Sequence, residues 1–256
     1  MKVTNLPIST PLPDADAHAQ TSCERLANGT AVFVSDVHRF GTDAMLLSAF
    51  CGVRRNESVC DLGSGCGILP LRFFDGGHRG RCTAVELASE GAALLQKAIE
   101  ENQCTNIQSV CADLRIFSDT SGYDVVSCNP PYFKGGYESR IPARRAARHE
   151  LTCTIQDVAQ AANRLLKDGG RLCVCQRPER LADVICALRE AHIEPKVLRF
   201  VRQRANIGTP WLFLLQGQKR RAAGMRLLPE LIIEDENGQF SQELLCIYGK
   251  QEAPRP

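Results

Sequence analysis

Two short segments of this 256-residue chain carry residue types whose spacing can do chemistry. The first runs from Val59 to Leu69. There an apolar run ends in Asp61 and continues through Gly63, Gly65 and Gly67 into a helical pattern. Glycines at a strand-to-helix turn let the backbone approach a ligand closely, and the helix N-terminus adds its positive dipole end. Dinucleotide sites carry G-x-G-x-x-G, whereas this turn is D-x-G-x-G-x-G with an acid at its head. A carboxylate there repels a pyrophosphate and can hold an ammonium group. Glu86 closes the next apolar run, 21 residues after Gly65, where it can accept from both hydroxyls of a ribose. Asp113 follows the third run, where it could accept from an adenine amino group. Three acids around one turn suit a cationic adenosine without phosphates, and S-adenosylmethionine is that ligand. A dinucleotide site, or a glycine turn with only a structural role, is the competing reading.

The second segment is Asn129-Pro130-Pro131-Tyr132, directly after a fourth apolar run. Two prolines fix the backbone and remove its donors, which leaves carbonyls facing the site. With the Asn129 side-chain oxygen they can accept both hydrogens of a planar exocyclic amine. The nitrogen lone pair then leaves conjugation and can be aimed at a methyl group. Tyr132 offers a flat face on which a base or an amide can stack. Alone, the tetrapeptide could equally be a rigid turn.

The elements that must position these residues follow from periodicity. Glu24–Val34 reads as a hairpin around Asn28 and Gly29, and Thr42–Phe50 as a helix capped by Thr42 or Asp43. Strands are predicted at Ser58–Leu62, Arg81–Glu86, Ile107–Ala112, Tyr123–Cys128 and Arg171–Gln176. Helices fall after Cys66 and at Ser89–Asn102, Ile155–Lys167 and Pro178–Ala191. Short, nearly all-apolar strands alternating with helices predict a parallel sheet covered on both faces. Lys196–Arg202 and Trp211–Gln216 could pair antiparallel at the sheet edge, with a further strand in Met225–Ile233 and a short last segment at Ser241–Tyr248. The expected organisation is a loose tail over residues 1–23 and one domain over 24–256. That domain divides into a cap (24–57), a core (58–218) and a C-terminal extension (219–256).

At 44% hydrophobic and 23% charged, the chain has globular composition. No apolar run is long enough to span a bilayer. Residues Met1 to Thr21 lack the apolar centre of a secretion signal, so a cytoplasmic protein without membrane contact is expected. The thirteen cysteines show no zinc spacing, so no metal is expected, and most, Cys60, Cys82, Cys111, Cys128, Cys173 and Cys175 among them, read as reduced core residues. Net charge is only +2, but it is unevenly distributed. Lys134–His149 holds Lys134, Arg140, Arg144, Arg145 and Arg148 against Glu138 alone, and Lys196–Pro229 holds eight cations and no acid. Two basic stretches on an otherwise acidic chain point to a polyanionic partner, or to two ordinary solvated faces. Trp211, in an apolar run, reads as core packing. For His38 and His149 a structural and a functional role are equally open.

Asp61-x-Gly-x-Gly-x-Gly, Glu86, Asp113 and Asn129-Pro-Pro-Tyr132, in this order, resemble the class I S-adenosylmethionine-dependent amino-methyltransferases. The flanks sharpen the resemblance. The stretch from His38 to Leu47, the stretch from Lys134 to Glu150, and the segments opening at Arg226 and Ser241 are similar to the tRNA1(Val) adenine-37 N6-methyltransferase family. The resemblance implies an α/β, Rossmann-like fold: a seven-stranded, mostly parallel sheet with helices on both faces and a C-terminal antiparallel strand. It also implies S-adenosylmethionine as cofactor, methyl transfer to N6 of an adenine in a tRNA anticodon loop, and no metal. Asp61, Gly63 and Gly65 would hold the methionine part, Glu86 the ribose, and Asp113 with Leu114 the adenine. Gly41, Thr42 and Asp43 would close over that pocket. Asn129, Pro130 and Pro131 would present the acceptors, and Tyr132 would stack on the flipped base. Arg140, Arg144, Arg145, Arg148, Lys219, Arg220 and Arg221 are candidates for the RNA backbone. A monomer is the default expectation. A release-factor glutamine methyltransferase also uses N-P-P-Y, but such enzymes carry a helical domain ahead of the glycine motif. A methyltransferase acting on another nucleic acid, and a non-catalytic RNA-binding module, are the remaining alternatives.

Overall fold

Strands that are apolar on both faces must be covered on both faces. A computed structural model describes residues 21–130, 153–206 and 208–250 and shows how this is done. The chain opens with a hairpin, β1 (Ser22–Arg25) and β2 (Ala31–Val34), followed by α1 (Thr42–Phe50). The alternating region comprises β3 (Val59–Leu62), α2 (Ile68–Asp75), β4 (Cys82–Glu86), α3 (Ser89–Glu101), β5 (Ile107–Cys111) and β6 (Tyr123–Cys128). It continues with α4 (Ile155–Leu165), β7 (Leu166–Gln176) and, after a 3-10 turn at Pro178–Arg180, α5 (Leu181–Glu190). The end of the chain supplies β8 (Ile193–Arg204), β9 (Leu212–Lys219), β10 (Arg226–Leu227), β11 (Leu231–Glu234) and α6 (Gln242–Ile247).

The main sheet runs β5-β4-β3-β6-β7-β9-β8, then β10 and β11 beside β8. All neighbours from β5 to β7 are parallel, and β9 is antiparallel to both β7 and β8. These seven strands are the sheet expected from the sequence. Two of its details differ. The antiparallel pair forms with Val201 opposite Leu212, but β9 lies inside the sheet. In addition β8 is not the edge, because β10 and β11 extend the sheet in parallel beyond it. The single strand predicted over Met225–Ile233 is split at Pro229, which has no N–H to donate to a ladder.

Side-chain alternation along the strands separates two cores. On β7, Leu172 and Val174 join Val158, Leu165 and Leu188 under α4 and α5. Cys173 and Cys175 join Leu46, Leu71, Leu95 and Leu244 under α1, α2, α3 and α6. Eight of the thirteen thiols are buried; Cys111, expected in the core, is exposed at the end of edge strand β5. Helix starts are set locally. Thr154 and Asp157 form a reciprocal capping box on α4, and the Ser241 hydroxyl accepts from Leu244 N on α6. The cap of α1 is Gly41 rather than Thr42 or Asp43, and the Asp43 carboxylate accepts from its own neighbour, Ala44 N.

Polar clamps fasten the outer pieces to the sheet. Buried Asp75 at the end of α2 accepts from Asn28 N and Thr30 N, and Asn102 both accepts from and donates to the Ala31 backbone, which docks the hairpin. Arg171 on β7 donates to the carbonyls of Cys51 and Gly52 at the end of α1, and in a fork to Glu57 at 2.8 and 2.9 Å. Those bonds hold the Glu57 carboxyl below the usual carboxylate range. Among the described residues no helix is long and apolar enough to cross a membrane.

Arg171 therefore sets the position of α1 against the sheet. Arg171→Ala strips a largely buried carboxylate of its partner, and a loss of roughly 3 kcal/mol is expected in urea denaturation. The wild-type contribution is complete above the unfolded carboxylate value, about pH 4.3, and is lost as pH falls through the depressed folded value. The variant should lack that acid-side step; a stability profile parallel to wild type across pH 2 to 5 would contradict this.

Candidate active site

The order β4-β3-β6 is a point where the sheet reverses direction of growth, and crevices open at the carboxyl ends of such strands. Here that end holds Asp61, Glu86 and Asn129. The turn after β3 places Gly63, Gly65 and Gly67 at φ of +67°, +54° and +80°, a region other residues enter only at a cost. Gly67 is required twice over, since a Cβ there would sit 2.3 Å from Leu95 Cδ1. Nothing lies within 4 Å of a Cβ at Gly63 or Gly65, so this stretch of backbone borders open space. That space is a cavity of about 180 Å³ lined by Phe40, Gly41, Asp43, Asp61, Gly63, Ser64, Gly65 and Asn129, with His38 at its wall.

Asp61 is 2% exposed, and its Oδ1 accepts from Ser127 Oγ at 2.6 Å. Burial pushes its carboxyl up to about 7; the Ser127 hydrogen bond opposes this, and the nearby Glu86 charge adds to it. Glu86, also buried, accepts from Gly65 N at 2.6 Å through Oε2 and from Ala88 N at 2.9 Å through Oε1. It thereby clamps the glycine turn to the end of β4 while keeping lone pairs for further donors. Asn129 Nδ2 donates to Asp43 Oδ2 at 3.3 Å, and its Oδ1 accepts from Cys175 Sγ at 3.0 Å. The amide is therefore oriented from both ends. Ser64 Oγ is buried at this cavity with no hydrogen-bond partner, a polar group that a ligand can satisfy.

The structure thus brings Gly41, Asp43, Asp61, Gly63, Gly65 and Asn129 to the cavity wall, with Glu86 behind it, bonded to Gly65 N. Three placements differ from the sequence expectation. Thr42 faces away from this cavity, its hydroxyl accepting from Tyr248 on α6, because Thr42 and Asp43 leave the helix in different directions. Asp113 is not at the cavity wall; its carboxylate is forked to Arg115 at 2.9 and 2.5 Å, which lowers its pKa, and Leu114 packs on the α4 side. The Lys219–Arg221 run lies at the opposite edge of the sheet, because β9 runs antiparallel and ends where its parallel neighbours begin. There Lys219 donates to the carbonyls of Asn163 and Leu166, and Arg220 pairs with Asp168. Trp211 packs against the core as expected, partly buried, with the Arg177 guanidinium 5.4 Å from its ring centre. Pro131, Tyr132, Arg140, Arg144, Arg145, Arg148 and His149 lie outside the described residues. No group able to hold a metal occurs among the described residues.

Residues 24–191 match the methyltransferase small domain family. The chain belongs to that family. Among curated relatives, it is 26% identical over 208 residues to the tRNA1(Val) (adenine(37)-N6)-methyltransferase of Aeromonas hydrophila, covering 81% of this chain and 87% of the relative. Among solved structures, a predicted O-methyltransferase from Agrobacterium tumefaciens superimposes with a TM-score of 0.67 at 19% identity, over 83% of this chain and 99% of that one. A 16S rRNA N2 methyltransferase from T. thermophilus, solved with AdoMet and guanosine, gives 0.56 at 19% identity, over 81% of this chain and 52% of that one. The two structural likenesses speak for the fold alone.

Several groups of this methyltransferase site were not singled out by sequence reading. Ser127, facing Asp61 across the β3–β6 register, is two residues before Asn129 and so lies on the same face; period-2 counting would have found it. Cys175 follows from the same counting along β7. Ser64 and Phe40 had no such signal.

Asp61 leads to a test on the ligand-free protein. Its folded value near 7 exceeds the unfolded value near 3.9, so the folded state holds the proton more tightly, and stability falls as pH rises between them. Asp61→Asn has no such loss. It should unfold at a higher temperature than wild type at about pH 8, with the gap closing towards pH 4. A gap independent of pH would mean that Asp61 is ionised throughout.

Proposed function

We propose that this chain transfers a methyl group from S-adenosylmethionine to the exocyclic N6 of an adenine in the anticodon loop of a tRNA. The observation that carries this reading is Asn129. An amide at the end of β6 opens into the same cavity as Asp61 and the glycine turn, where an amine and a cationic methyl donor can meet. The name of the Aeromonas hydrophila relative supports tRNA as the substrate.

The residues fit the cofactor. Ser64 Oγ is a buried hydroxyl without a partner, the glycine backbone borders open space, and the acids at the wall are matched to a ligand with positive charge and no phosphate. When bound, S-adenosylmethionine supplies an electrophilic methyl group on a sulfonium sulfur. Asp61 and Asp43 hold the methionine ammonium, and Glu86 accepts from the ribose hydroxyls. Asp113 and Leu114 can serve the adenine only if Arg115 shares or leaves the Asp113 carboxylate. Asn129 Oδ1 and the Pro130 carbonyl accept the two hydrogens of the target amine and direct its lone pair at the cavity. Pro131 and Tyr132 complete the motif, with Tyr132 stacking on the base. Positioning of this kind supplies most of the rate in an in-line displacement.

For the RNA backbone, Arg140, Arg144, Arg145 and Arg148 remain the candidates, since residues 131–152 leave from Pro130 at the site. Lys219, Arg220 and Arg221 do not fit the same loop, being at the far edge of the sheet. A protein amide as substrate is not favoured by the relatives, and a monomer without metal remains part of this proposal.

Incubation with S-adenosylmethionine and unmodified tRNA, followed by digestion and mass spectrometry, should give N6-methyladenosine in an anticodon-loop fragment. Asn129→Ala should lower kcat by about 100-fold. Cofactor binding without any RNA product would turn the reading towards a protein amide. Titration calorimetry offers an independent check: a cationic ligand needs Asp61 ionised, so affinity for S-adenosylmethionine should rise about 10-fold from pH 6 to 8. A flat profile would remove Asp61 from the ammonium site.

A further inference from the structure

A second cavity, of about 380 Å³, opens on the other side of Asn129-Pro130. Its described walls are Pro130, Cys153, Ile155 and Val184, with Thr154, Gln156, Gln176 and Arg180 as polar or charged groups at the rim. Gln176 is the last residue of β7 and is 7% exposed. Its Oε1 accepts from Arg177 N at 2.9 Å, which fixes the amide. Among the described residues its Nε2 makes no hydrogen bond, and the atom is not one of the fully buried unpartnered groups, so it reaches the cavity surface. A nearly buried donor without a partner therefore borders the cavity.

Register places this donor beside the target-amine acceptors. Cys128 pairs with Val174, and the Cys175–Asn129 hydrogen bond carries the pairing one residue further. Pro130 and Gln176 are then neighbours at the strand spacing of about 4.8 Å. Two acceptors next to one donor form a pattern that complements an amino group next to a ring nitrogen. Adenine presents that pattern, N6 beside N1 or N7, as does cytosine, N4 beside N3, whereas the O6 edge of guanine presents an acceptor beside either N7 or the N1–H. The mostly apolar walls suit the faces of a planar heterocycle.

We infer that this cavity receives the ring of the target base, and that Gln176 Nε2 donates to an adenine ring nitrogen, making Gln176 a residue that selects adenine over guanine. This inference rests on the function proposed above, and its test separates the two. Gln176→Glu keeps the acceptor for Arg177 N and the side-chain shape but replaces the donor with a charged oxygen; Gln176→Met, of similar length and uncharged, removes the donor without adding charge and must show the same substrate pattern. The substrates are an anticodon stem-loop oligoribonucleotide carrying adenine, 1-deazaadenine or 7-deazaadenine at the target position. Wild type should lose about 10-fold or more in kcat/KM on one of the two deaza substrates. Gln176→Glu should show a similar loss on adenine, no further loss on that deaza substrate, and unchanged affinity for S-adenosylmethionine. Wild-type rates in the variant, or losses that multiply, would overturn the role of Gln176 while leaving the proposed function standing. Absence of transfer by wild type to the adenine oligonucleotide and to intact tRNA would overturn both.

Discussion

A carboxylate buried between two parallel strands is the constraint around which this site is built. Asp61 must be ionised to hold a cation, yet burial favours its neutral form and raises its pKa to about 7. Ser127 offsets part of that cost by donating to it from β6. Glu86 pulls in the opposite direction, because its charge disfavours that of Asp61 while its hydrogen bonds to Gly65 and Ala88 hold the turn in shape. The free site is therefore electrostatically strained in a way that a positively charged ligand relieves. A dinucleotide would aggravate it. This is the physical content of the difference between D-x-G-x-G-x-G and the dinucleotide fingerprint.

Strand direction decides which charges can serve that site. Parallel strands β3 to β7 deliver their carboxyl ends to one edge, and one reversed strand, β9, sends its own end to the other. Lys219, Arg220 and Arg221 therefore stand at the base of the sheet, where Lys219 satisfies the last carbonyls around α4. The dense basic composition of Lys196–Pro229 is similarly absorbed into structure: Arg199, Arg202 and Arg204 each pair with a glutamate from the segment that follows. A charge run in sequence is a polyanion site only where topology leaves it together and unpaired.

That distinction explains what could be read from the sequence. The strands from Val59 to Gln176 were legible because doubly buried strands are short apolar runs, and the two chemical motifs were legible because their residue types are costly elsewhere. Interior placement of β9 and the addition of β10 and β11 were not, since an antiparallel pair has the same pattern inside a sheet or at its edge. Thr42 and Asp43 looked equivalent as neighbours; helix geometry sends one to Tyr248 and the other to Asn129. Asp113 carried the right residue type at the right strand end, but Arg115 two residues on could be seen as its partner only in three dimensions. Cysteine assignments were sound where strands are interior and failed at Cys111, where β5 is the outer strand.

The period-2 alternation of β6 and β7 also divides the site into two compartments. Asp61, Ser127, Asn129 and Cys175 point to the α1–α3 side, where the cavity is small and polar, with Asp43 and Asp61 deep in it and Arg39, paired with Asp36, also in its wall. Val174 and Gln176 point to the α4–α5 side, where it is larger and mostly apolar. Asn129 and Pro130 are consecutive, so one borders the first cavity and the other the second. A methyl donor held by carboxylates and a flat base held by apolar walls need opposite environments, and a side chain cannot supply both. On the proposed function, a boundary at Asn129-Pro130 would let the two meet at one nitrogen without either environment compromising the other. The rigidity of Asn129-Pro130 keeps that boundary fixed, and Asp43 and Cys175 secure its amide from either end.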